Sequence, residues 1–143
     1  MSSKLSSRLA ECIDALPLRN GSRVLEIGCG PGAAAREVSL RIGNGFILAI
    51  DRSEKAIAQA VAGSAARIAS GRLGYRQVSI EEFSLLPGEE PFDFAFALRV
   101  GSLDGRHPEA GKVALARLRT AIRPGGRLFI DGGNPLKQIR LDG

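Results

Sequence analysis

The chain has 143 residues, 44% of them hydrophobic, and a formal net charge of +5. That length suits one packed domain, and no apolar run approaches the ~20 residues needed to cross a bilayer. The beginning lacks the charged-then-apolar design of a signal peptide. Cys12 and Cys29 stand far apart with no metal-ligand spacing, so a reduced, cytoplasmic setting without a bound metal is expected. Sixteen of the twenty cations are arginine, scattered from Arg8 to Arg140. With Tyr75 and six phenylalanines as the whole aromatic complement, there is no evident platform for stacking bases. A solvated basic surface is therefore favoured over a nucleic-acid face.

Leu5, Leu9, Ile13 and Leu16 recur at a helical period, which predicts a leading helix from Ser3 to Leu16, capped by Ser2 or Ser3. Pro17 ends it and Arg19-Asn20-Gly21 turns the chain. Residues 1–20 thus precede a core at 22–131 and a tail at 132–143. Ser22 to Ile27 reads as the first strand. Gly28, Gly30 and Gly32 follow at alternate positions, and Ala33 to Ile42 forms a helix stopped by Gly43-Asn44-Gly45. Strand, glycine turn and helix together build a nucleotide-cofactor crevice, because glycine allows positive φ and close backbone approach while a helix start offers free N–H groups.

Phe46 to Ile50 is a continuous apolar run, the pattern of a parallel strand covered on both faces. Asp51 closes it, 23 residues after Gly28, near the ~20-residue spacing at which a carboxylate meets ribose hydroxyls. Ser53 is better placed as the cap of the next helix, Ser53 to Ser70. Leu73 to Ile80 reads as a short third strand, and Leu85 to Pro91 as a loop. Phe92 to Leu98 is the fourth strand, with the substrate expected off its end between Leu98 and Asp104. A helix from Glu109 to Ile122 ends at Pro124-Gly125-Gly126 and leads into the fifth strand, Arg127 to Asp131. The tail is expected to supply a short edge strand around Leu136 to Leu141, or no regular structure.

The run Glu26-x-Gly28-x-Gly30-x-Gly32, the turn Arg123-Pro124-Gly125-Gly126-Arg127-Leu128 and the pair Phe92-Asp93 together resemble class I S-adenosylmethionine (SAM)-dependent methyltransferases. The resemblance runs from about Val24 to Asp131. It implies an open, mostly parallel Rossmann-like α/β sheet of about five strands with helices on both faces. The family normally adds an antiparallel hairpin, for which the residues after Asp131 leave no room, so the fold is expected to be shortened at its C-terminus. The implied cofactor is SAM, held by Glu26, Gly28, Cys29, Gly30, Gly32, Asp51, Arg52, Ser79, Ile80 and Leu98. The family usually places an Asp after the third strand to receive the adenine amino group. Ser79 stands there instead, so the contact falls to Ser79, to Glu81 or to the backbone of Ile80.

Leu98-Arg99-Val100-Gly101 replaces the Asn/Asp-Pro-Pro-aromatic run of enzymes that methylate amino groups of DNA or glutamine, which argues against those acceptors. A small-molecule acceptor is the leading expectation. His107, the single histidine, is the obvious candidate base, although a turn histidine before Pro108 is more often a solvent-exposed residue. Asp104 and Glu81 are weaker candidates, and Arg99 either binds an anionic substrate or faces solvent. No catalytic residue is assigned. The leading helix either covers the ligand, as the resemblance implies, or simply packs. Two other readings remain open. One is a nicotinamide-dependent oxidoreductase using Gly28-x-Gly30-x-x-Ala33. The other is a non-catalytic SAM-binding module that pairs with a partner or with itself through the sheet edge.

Overall fold

The strands are β1 (Arg23–Ile27), β2 (Phe46–Asp51), β3 (Leu73–Gln77), β4 (Phe94–Ala97), β5 (Arg127–Asp131) and β6 (Leu136–Arg140). The helices are α1 (Ser7–Asp14), α2 (Ala33–Ser39), α3 (Glu54–Ala62), α4 (Ala65–Ala69) and α5 (Pro108–Ala121), with a 3₁₀ turn at Ile80–Glu82. They come from a computed structural model that describes residues 5–98, 100, 103 and 107–141. One sheet runs β3-β2-β1-β4-β5-β6. Its first five strands are parallel and β6 is antiparallel to β5.

Alternation along each strand sends successive side chains to opposite faces. Val24, Ile47, Ala49, Phe94, Phe96 and Phe129 face α1 and α2, with Ile57 of α3 and Ile68 of α4 packed on the same side. Leu25, Ile27, Leu48, Ile50, Ala95, Leu128 and Ile130 face Ala114, Leu118 and Ala121 of α5. Parallel strands must be covered on both faces, which is why β2 and β4 read as apolar runs. The chain builds outward from β1 to β3 and then returns to lay β4 against the other side of β1. Ligands bind beyond the carboxyl ends of strands at such a reversal. The loops that follow Ile27 and Ala97, whose Cα atoms are paired in register, therefore share one rim.

The sheet has six strands rather than about five, because the tail takes the edge-strand option at Leu136–Arg140. Other differences are local. The first helix is capped by Ser6, whose Oγ accepts from the Leu9 N–H at 3.2 Å, while Ser2 and Ser3 lie outside the described residues. α2 stops at Ser39, not Ile42, where Arg67 donates to both the hydroxyl and the carbonyl of Ser39. The helix expected from Ser53 to Ser70 is broken at Gly63-Ser64. Ser64 turns inward, 2% exposed, to bond the Tyr75 hydroxyl at 2.9 Å. Ser53 does cap α3, accepting from Ala56 N–H at 3.1 Å. β3 ends at Gln77, three residues early, because Ser79 opens the 3₁₀ turn.

At the rim opposite the reversal, the Asp93 carboxylate accepts from the Arg23 backbone N–H at 2.8 Å and from the Arg123 guanidinium. The Arg23 guanidinium lies over the rings of Phe46 and Phe92, 5.7 and 5.1 Å from their centroids. Phe92 is fully buried and bridges to Ile122. Gly126 belongs to this rim too, since a Cβ there would lie 2.5 Å from the Asp93 carbonyl. Asp93→Ala strands the Arg23 N–H and is expected to cost about 1–2 kcal/mol, with Asp93→Asn costing less. Urea unfolding midpoints check this, and an unchanged midpoint for Asp93→Ala would show that the clamp is energetically idle.

Candidate functional site

The glycine turn after β1 is fixed to the end of β2. Gly28 and Cys29 both donate to the Ile50 carbonyl, at 2.8 and 3.0 Å. Gly30 N–H donates to Asp51 Oδ2 at 2.9 Å, while Asp51 Oδ1 accepts from Ser53 N–H at 2.9 Å. An ionised carboxylate offers about four acceptor sites, so Asp51 keeps two for other donors. One residue thereby shapes the loop, starts α3 and presents free lone pairs at the rim.

The three glycines are needed for different reasons. All have positive φ, at 73°, 55° and 91° for Gly28, Gly30 and Gly32. A Cβ on Gly28 would sit 2.7 Å from Val100 Cγ2, from the segment after β4. A Cβ on Gly32 would sit 2.3 Å from the Tyr75 hydroxyl, on the protein side of the turn. A Cβ on Gly30 would meet nothing within 4 Å among the described residues. Gly30 is thus the glycine whose missing side chain leaves space rather than fills a packing need.

Behind the turn, Arg36 donates to the Pro31 carbonyl at 2.9 Å and to Ser64 Oγ at 3.2 Å, and Ser64 meets Tyr75. This support was not visible in the sequence. Its one signal is that the single tyrosine falls on a strand position facing the glycine turn.

Beneath the turn lies Glu26, 3% exposed. Its Oε1 is buried and has no hydrogen-bond partner among the described residues. Loss of water, with Asp51 nearby as a second negative group, pushes its carboxyl from the ordinary 4.5 up to about 8. Burial, Glu26 and Asp51 together hold the Cys29 thiol far above its usual range, which disfavours its thiolate form. The residue as a whole is 6% exposed.

Further along the rim, a cavity of about 480 Å³ is lined by Arg52, Gln77, Val78, Ser79, Glu81, Glu82 and Ala110. Ser79 Oγ donates to Glu82 Oε1 at 3.4 Å, which leaves its lone pairs open. Ile80 is 3% exposed and packs in the core, and it is not among the residues lining this cavity. Leu98 packs against the α1–α2 face. The structure thus gathers Glu26, the glycines, Cys29 and Asp51 around one turn, and Arg52 and Ser79 in the adjoining cavity. His107 is exposed at the start of α5 and makes no capping bond. Arg99 and Asp104 lie outside the described residues. Among the described residues no His/Cys/Asp/Glu group could hold a metal ion, and no helix is long and apolar enough to cross a membrane.

A mostly parallel sheet whose strand order reverses beside a glycine turn, with an acid at the end of β2, defines a nucleotide-binding α/β class. A family model described as "Methyltransferase domain" matches residues 24–126. The chain belongs to this family, the class I SAM-dependent methyltransferases, and the nicotinamide reading falls with that. It is 33% identical over 111 residues to a ubiquinone biosynthesis O-methyltransferase of Dechloromonas aromatica, covering 77% of this chain and 44% of that one. It is 37% identical over 133 residues to a protein-L-isoaspartate O-methyltransferase of Methylorubrum populi, covering 93% and 55%. A SAM-dependent methyltransferase from Thiobacillus denitrificans, solved with S-adenosyl-L-homocysteine, superimposes with a TM-score of 0.67 at 22% identity, covering 91% of this chain and 50% of that one. At that identity the likeness concerns the fold alone. The chain spans between a quarter and just over half the length of the curated relatives it matches.

The raised Glu26 value has a consequence for stability. Between about 4.5 and 8 the folded protein holds a proton that the unfolded chain has lost. Stability therefore falls as pH rises through that window and levels off above it. Glu26→Gln removes the titration. Its melting temperature relative to wild type is expected to climb from about pH 5 to about pH 9, reflecting on the order of a few kcal/mol. A gap that does not change with pH would mean that the carboxyl ionises normally.

Proposed function

We propose that this domain binds SAM at the β1–β4 reversal and transfers its methyl group to a small-molecule acceptor. The observation that carries the reading is the pairing of an orphaned, buried Glu26 oxygen with open space at the Gly30 Cα, beside a carboxylate with two unused acceptor sites. These match what the cofactor presents: an ammonium, a chain that must lie close to backbone, and a ribose with vicinal hydroxyls. In this assignment Glu26 takes the amino-acid end, Gly28, Cys29, Gly30 and Gly32 give the closely approached surface, and Asp51 accepts from the ribose. Arg52, Ser79 and the Ile80 backbone line the base end, and Leu98 borders the methyl side. Ser79, held by Glu82, is the residue proposed to accept from the adenine amino group.

When bound, SAM supplies an already activated methyl group, so the protein's task is alignment and exclusion of water. Orientation alone supplies roughly 7–11 kcal/mol in favourable cases. Both curated relatives quoted above are named O-methyltransferases, which supports an oxygen acceptor. Two free, buried cysteines support a reducing cytoplasmic setting. Dimerisation through the β6 edge has less support: Lys137, Gln138 and Arg140 are exposed along it, and charge on an edge strand opposes pairing.

Calorimetric titration with SAM, S-adenosylhomocysteine and NADH tests the reading. Micromolar binding of the first two and none of NADH is expected. Gly30→Leu should stay folded at a cost of about 1–2 kcal/mol for its left-handed backbone yet lose binding at least tenfold. Gly28→Ala, by contrast, should lower the melting temperature because of Val100. Unchanged SAM affinity in Gly30→Leu would place the ligand elsewhere.

A further inference from the structure

Glu26 asks for a further explanation, because a ligand-free carboxyl with a buried, unpartnered oxygen is an uncompensated feature of the fold. A carboxylate left in such a place keeps its proton unless a cation arrives. Among the described residues, the groups that face it supply none. Asp51 approaches from β2, Cys29 from the turn and Tyr75 from β3. Ala49 and Phe96 are its neighbours in register on β2 and β4. Arg36 of α2, the cation of this cluster, donates to Pro31 and Ser64.

We propose that Glu26 is neutral in the ligand-free protein and expels its proton to solvent when the ammonium of the cofactor's amino-acid portion docks beside it, so that cofactor binding is proton-coupled. The inference rests on the SAM-binding reading above and adds to it a defined stoichiometry. The O–H bond of the Glu26 carboxyl breaks, the proton leaves to buffer, and the ligand ammonium keeps all its protons and donates to the new carboxylate. Nothing else changes covalently. The coupling makes the site selective. A nucleoside lacking the amino-acid portion offers no charge to offset ionisation, and it must leave the carboxyl protonated.

The test is calorimetry of wild-type protein with S-adenosylhomocysteine, which carries the ammonium without the sulfonium, at pH 7 in two buffers of different ionisation enthalpy. A difference in observed enthalpy corresponding to release of nearly one proton is expected. Affinity should rise about tenfold per pH unit between about pH 6 and 7.5, below the range where an α-amino group itself titrates. 5′-Methylthioadenosine, the nucleoside end alone, should bind without proton release. Glu26→Gln should bind S-adenosylhomocysteine with the same enthalpy in both buffers.

Binding of S-adenosylhomocysteine by wild type without proton release would overturn the proposal and leave the cofactor assignment standing. Equal proton release with methylthioadenosine would trace the effect to the nucleoside and overturn it as well. Failure of S-adenosylhomocysteine to bind at all would remove both readings. The wild-type buffer comparison decides the matter even if Glu26→Gln does not fold.

Discussion

Three consecutive N–H groups, of Gly28, Cys29 and Gly30, are tied to two residues at the end of β2, the Ile50 carbonyl and the Asp51 carboxylate. Much of the ligand-facing rim depends on this tether. A glycine turn is otherwise the most mobile kind of backbone, since each glycine has wide conformational freedom to lose. Here the enthalpy of charge-assisted and backbone hydrogen bonds offsets that loss. The tether also couples two strands chemically, because Asp51 cannot move to meet a ligand without loosening both Gly30 and the start of α3. Pre-organisation of this kind is what lets a site bind without first paying to order itself.

The two rims of the sheet carry different duties. At the amino ends of the strands, Asp93 joins β1 to Arg123, two residues beyond α5, Arg23 covers two aromatic rings, and Gly126 meets the Asp93 carbonyl without room for a methyl group. Polar groups there are paired and close-packed. At the carboxyl ends, Glu26 has an unpaired oxygen, Gly30 faces open space and Asp51 has spare acceptor capacity. Sites of function are expected to break the rules of packing and polar satisfaction that the rest of a fold obeys, and the contrast between the rims follows that division.

Most of the architecture was legible because its signals are local. Unbroken apolar runs mark β2 and β4, and a glycine turn followed by helix formers marks the candidate site. Ser53 as a cap and Asp51 as a strand-end acid were readable from spacing alone. What escaped depends on partners distant in sequence. The break between α3 and α4 exists because Ser64 bonds Tyr75 and Arg36, and α2 ends early because Arg67 captures Ser39. Glu26 was legible as an acid in a motif, but its burial and missing partner were not. These need the third dimension, in which Ala49, Phe96 and Asp51 surround it. Likewise the different burdens of Gly28, Gly30 and Gly32 are invisible in a pattern that writes them with one letter.

Glu26 also bears on why the turn carries an acid at all. If packing were the only demand, a leucine or methionine in that position would join Val24 and Phe96 in the same apolar layer. It would avoid the roughly 1–3 kcal/mol that an unsatisfied buried acceptor costs. Glutamine would fill the volume without the titration, yet it would offer a neutral dipole where the proposal above puts a cation. The acid is therefore the residue type that makes sense only in the presence of something positively charged. Burial, an oxygen without a partner among the described residues and the neighbouring negative charge of Asp51 point from inside the fold to the same crevice that the strand reversal marks from outside.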